Sequence, residues 1–169
     1  MEIKTKSTRT HSLIKLFDMH TDYFAKAITG ISDEDSRNRL NTKANHVAWL
    51  AGSLTQDRFE MASLITGKEQ KQGADELFKN HKGIQDDAAY PPLTEFKKDW
   101  EKISPIFREA ISGLSDEKLD SMFVIPEMPE MKLTWYDMVT FMTYREANCI
   151  GQIILWRRLM GYEGIRYDG

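Results

Sequence analysis

Four side chains combine reactive types with helical spacing. Arg145 and Cys149 lie four residues apart, and so do Ser53 and Asp57; residues at i and i+4 share one face of a helix. A cysteine one turn from an arginine has two readings. It is a small buried apolar residue, or a thiolate stabilised by the neighbouring guanidinium. An arginine on an apolar face must find a carboxylate or carry a desolvation cost of several kcal/mol. Asp57 is the leading partner for Arg145 and Glu60 the next. A paired arginine can still receive an anionic ligand through its remaining donors. His20 falls among apolar residues and reads as a hydrogen-bonded core histidine, while a ligand set of His20, Asp57 and Cys149 has no spacing signature behind it. His46 stands near a helix start and reads as a cap or surface residue. Glycine-rich phosphate loops, nucleophile elbows and HExxH sequences are absent. Glu130, Asp137 and Glu146 have no spacing that establishes a catalytic carboxylate pair.

Helical periodicity places these residues. The longest segment runs from Thr134 to Gly161, with Trp135, Met138, Met142, Arg145, Cys149, Ile153, Trp156 and Met160 at steps of three and four. Thr134 and Asp137 have the capping-box spacing, and Gly161 is the expected stop. The first helix is expected over Ser12–Thr29, with Leu13, Leu16, Phe17, His20, Phe24 and Ala27 inward. The second covers Asn45–Ile65 and stops at Gly67. It has Val47, Leu50, Ala51, Leu54, Met61 and Leu64 on its apolar side, beside a column of His46, Ser53, Asp57 and Glu60. Phe96, Trp100, Ile103, Phe107, Ala110 and Leu114 mark the third, where Pro105 predicts a kink without a break. Ala74–Asn80 suits a short helix, and only Met122–Ile125 has the composition to pair as a strand. Gly30-Ile31-Ser32-Asp33-Glu34 is echoed by Gly113-Leu114-Ser115-Asp116-Glu117, each between a helix and a longer one. The pattern predicts an all-α four-helix bundle, two helix hairpins joined by a long crossover, as a single domain over residues 1–169.

Composition narrows the function classes. The chain has 169 residues, 41% hydrophobic and 29% charged, and a formal net charge of −3. These values suit a globular domain and argue against nucleic acid as a partner. No apolar run is long enough for a membrane span, and the polar N-terminus lacks the apolar core of a signal peptide. One cysteine permits no internal disulfide, so a cytoplasmic location is expected. Phe141 and Ile154 stand off the main apolar seam of the last helix and predict a homodimer.

Two stretches resemble a known family. Arg145-Glu146-Ala147-Asn148-Cys149-Ile150-Gly151-Gln152-Ile153, followed by Arg157-Arg158-Leu159-Met160-Gly161, is similar to the closing helix of the DinB/YfiT-like superfamily. Asn45-His46-Val47-Ala48-Trp49-Leu50-Ala51-Gly52-Ser53-Leu54 resembles its second helix. The resemblance implies a DinB-like bundle and a metal site of three histidines, one from the second helix and two from the fourth. In relatives such a site serves thiol S-transferase and maleylpyruvate isomerase-like chemistry. The matching positions here are Ser53, Arg145 and Cys149, so all three histidines are replaced. The expectation is therefore no metal cofactor and no metal-dependent transferase activity. An inter-helix pocket should remain around Ser53, Asp57, Arg145 and Cys149, with His20 and Glu60 as further candidates, for a small molecule that could be anionic. The alternatives are a metal-dependent S-transferase with non-standard ligands and a structural or interaction protein with no ligand.

Overall fold

The computed structural model describes residues 4–124 and 130–167. Four long helices make the framework: α1 (His11–Ile28), α2 (Val47–Thr66), α4 (Leu93–Ser112) and α6 (Trp135–Leu159). Two short ones, α3 (Asp75–Phe78) and α5 (Asp116–Asp120), lie in the connections. The ends follow local chemistry. Gly67 stops α2 at φ 69°, in the left-handed region that a glycine enters without strain. Thr134 and Asp137 form the expected capping box at the start of α6. α4 continues through Pro105. The only pairing among the described residues joins β1 (Met122–Phe123) to β2 (Leu133–Thr134); Ile125 lies outside the described residues. None of the described helices is long and apolar enough to cross a membrane.

The all-α bundle predicted from periodicity is present, but its consecutive long helices do not pack as the two expected hairpins. α1 packs on α4 and α6, and α2 packs on the same two helices. Consecutive long helices, α1 with α2 and α4 with α6, therefore face each other across diagonals, and the connections 29–46 and 113–134 are long enough to span them. The core divides into two apolar clusters. One holds Phe24, Leu50, Leu54, Phe96, Trp100, Ile150 and Ile153. The other holds Ile14, Phe17, Phe59, Ile103, Phe107, Val139 and Met142. Gly52 lets α2 approach its neighbours closely, because a Cβ there would fall into the rings of Phe78 and Phe96. The buried face of α6 differs from the predicted seam. Val139, Glu146, Ile150 and Arg157 are inside, whereas Met138 and Arg145 lie at its edge.

His46 caps α2 and is 6% exposed. Its Nδ1 accepts the Trp49 amide at 3.0 Å, and its ring meets Tyr90 edge-on at 4.8 Å. Burial, aided by the charges of Arg39 and Arg37, pushes its pKa down to about 4. An unfolded histidine titrates near pH 6.5, so the neutral form is favoured by folding. That stability is complete above about pH 6.5 and is lost as pH falls through about 4, amounting to ~3 kcal/mol. Urea unfolding at pH 7 and pH 4 checks this against His46→Asn, which keeps a capping acceptor that does not titrate. The wild type should lose ~3 kcal/mol more than the variant over this interval. Equal losses would assign the acid sensitivity to other groups.

Candidate functional site

The middle of the bundle holds a polar layer between the two apolar clusters. Arg58 from α2 is fully buried. Its Nε and Nη2 donate to the two oxygens of Glu146 at 2.6 and 2.9 Å. Nη1 donates to Thr21 Oγ1 at 2.9 Å and to Ser104 Oγ at 2.7 Å. The guanidinium lies 3.4 Å from the centre of the Trp100 ring and 3.9 Å from that of Phe17. His20 Nδ1 stands 3.2 Å from Glu146 Oε2. All four long helices thus contribute to one bidentate, hydrogen-bonded pair, the geometry in which a buried charge pair is tolerated. Burial lowers the Arg58 pKa, opposed by Glu146. Burial alone would raise the Glu146 carboxyl; the charge and hydrogen bonds of Arg58, joined by His20, hold it below the usual carboxylate range. Arg58 and Glu146 are 0% and 2% exposed, so the pair organises the bundle from within.

One residue back on each helix, at the edge of the α2–α6 contact, Arg145 forms an ion pair with Asp57 and donates from Nη2 to Ser53 Oγ at 2.8 Å. The Arg145 and Asp57 side chains are 25% and 15% exposed. Arg145 and Cys149 also line a cleft of about 360 Å³ with Asn45, Trp49, Leu50, Phe141, Tyr144, Asn148 and Gln152. Along its α6 wall, Gln152 donates to Asn148 Oδ1 at 2.7 Å and Asn148 reaches the Tyr144 hydroxyl at 3.4 Å. Burial pushes the Cys149 thiol above its ordinary pKa, further than the Arg145 charge draws it down. That environment matches the buried-thiol reading and opposes the thiolate.

Three of the residues singled out from the sequence are therefore in direct contact, Ser53, Asp57 and Arg145, and the fourth, Cys149, shares the cleft wall with Arg145. His20 is instead a partner of Glu146 in the central layer. Glu60 accepts from Gln56 Nε2 at 2.9 Å, and Gln56 turns toward Asp75 and Gln72 in the connection after α2. Among the described residues, no three histidine, cysteine or carboxylate side chains are grouped to hold a metal ion. Phe141 is half-exposed on the cleft rim, and Ile154 packs against the core. The sequence pattern did not reveal Arg58, the buried pairing of Glu146 with it, or the amide and aromatic lining. The i, i+4 column Tyr144–Asn148–Gln152 was the available signal for that wall.

With this geometry in hand, comparison with solved structures identifies the fold. A conserved protein from Enterococcus faecalis superposes with a TM-score of 0.68 at 12% identity, over 90% of this chain and 97% of that one. A DinB-like protein of Bacillus subtilis, YjoA, superposes with a TM-score of 0.64 at 14% identity, over 93% of this chain and 98% of that one. No protein-family model and no curated protein matches the sequence. The chain has the DinB-like four-helix fold.

Proposed function

We propose that this DinB-like protein does without divalent-metal chemistry at the positions of the family's histidines and uses the α2–α6 cleft to bind a small molecule. The observation that carries the reading is the Arg145 guanidinium held between Ser53 and Asp57. A guanidinium has no lone pair and keeps its proton, so it cannot ligate a cation and repels one at close range. A protonated thiol at Cys149 is no substitute. The residues present therefore do not fit the metal that the fold suggests. They fit a ligand with a flat apolar body, seated against Trp49, Phe141 and Tyr144, and a polar edge facing Asn45, Asn148 and Gln152. Because Asp57 neutralises Arg145, the cleft has little preference for an anion.

The test uses two flat fluorescent probes, anionic 8-anilinonaphthalene-1-sulfonate and neutral N-phenyl-1-naphthylamine. Both should bind in the presence of EDTA, with affinities within about threefold of each other, since a neutralised pair contributes little. Tyr144→Ala should weaken both about tenfold, the loss of roughly one aromatic contact. Asp57→Asn should shift the preference toward the sulfonate. Binding that requires added zinc would favour the enzyme alternative. Failure of both probes to bind the native protein would favour a protein without a ligand.

A further inference from the structure

The opposite side of the bundle carries a second cleft, of about 290 Å³, between α1, the start of α4 and the segment after α6. We propose that it is an oxyanion site, accepting a phosphate-type group between Lys26, Lys97 and Arg157. Arg157 lines the cleft and is 8% exposed. Its Nη1 donates to the carbonyls of Ala27 at 3.0 Å and Thr29 at 2.7 Å. Nε and Nη2 both donate to the Glu163 carbonyl, at 3.1 and 2.9 Å. Every acceptor is main chain, so the guanidinium is held in place while its charge lacks a carboxylate. Of its five N–H groups these bonds occupy four, and one on Nη2 remains for a ligand.

Closing the last turn of α1 accounts for Arg157 as a helix cap, but it does not account for the lysines. Lys97 is half-buried on α4, lines the same cleft and has no ion-pair partner among the described residues. Lys26 is paired with Asp22 at 2.8 Å, four residues back on its own helix. The other carboxylate at the rim, Glu163, is 84% exposed and sits 3.9 Å from Arg166. Cations thus outnumber carboxylates here, within a protein whose net charge is −3. A fixed guanidinium donor with two ammonium groups beside it suits the several acceptor oxygens of a phosphate better than a halide. The cleft is large enough for the group to arrive on a small organic ester as well as free.

The experiment follows thermal stabilisation of the intact protein by inorganic phosphate, phenyl phosphate and acetate, with total ionic strength held constant by sodium chloride. Phosphate should stabilise saturably in the millimolar range and acetate several-fold more weakly. Phenyl phosphate distinguishes a free anion from an ester, and tighter binding assigns the site to esters. Lys97→Gln, a change at a half-exposed position, should weaken phosphate about tenfold, as expected on loss of one close charge. Glu163→Gln should strengthen it, a direction that a purely structural role for these residues does not produce. Equal responses of wild type and Lys97→Gln, or a stabilisation that chloride alone reproduces, would overturn the proposal.

Discussion

Arg58→Met is expected to destabilise the protein by about 3–5 kcal/mol at pH 7, the largest effect of any single substitution of a charged residue here. The reason is what it leaves behind. Glu146 is 2% exposed and would keep only His20 as a polar partner. An uncompensated buried carboxylate then shifts its pKa upward and takes up a proton. In the wild type the Glu146 pKa lies below its ordinary value, so the pair contributes stability above the unfolded value near pH 4.3, and that stability is lost as pH falls. The penalty of Arg58→Met should accordingly be greatest near pH 7 and shrink toward pH 4. Denaturant unfolding of Arg58→Met, Glu146→Leu and the double variant provides the check. The double variant should be more stable than either single one, because replacing both members by apolar groups removes the orphaned charge. Strict additivity of the two losses would show that the residues are not coupled. The Arg145–Asp57 pair, nearer to solvent, should matter less, because water screens it and solvates whichever partner remains.

The sequence made the framework legible because most of it is local. Gly67, the Thr134–Asp137 box and most apolar steps of α1 and α4 act within a few residues and appear where periodicity placed them, whereas Leu16 of α1 and Leu64 of α2, expected on inward faces, are exposed. The polar centre was hidden for a related reason. An apolar template treats Arg58 and Glu146 as surface residues, yet Leu54–Arg58–Met61 and Met142–Glu146–Cys149 continue the buried faces of their helices. One charged residue out of phase reads as noise, and only the second helix shows that two such residues meet. The same rule misaligned α6. The template favoured Arg145 as the polar member of the seam, while the helix turns Glu146 to the centre and leaves Arg145 at the edge beside Asp57. The family resemblance pointed to positions 53, 145 and 149, but it could not reveal the cleft wall built from Tyr144, Asn148 and Gln152.

If Arg145 occupies the place of the metal, metal binding by the wild type and two variants will report it. The wild type should bind no stoichiometric zinc or nickel by elemental analysis after equilibration with either ion. Ser53→His with Cys149→His should also fail, because the Arg145 guanidinium that now reaches position 53 still places a positive charge where a cation must sit. Adding Arg145→His removes that charge and supplies two imidazoles one turn apart on α6, with the third facing them from α2. The triple variant should therefore gain zinc affinity by about two orders of magnitude or more over the double one. It should lose that affinity below about pH 6, where imidazoles protonate. One bound metal per wild-type chain, or equal binding by the double and triple variants, would contradict the assignment of Arg145 to the place of the metal.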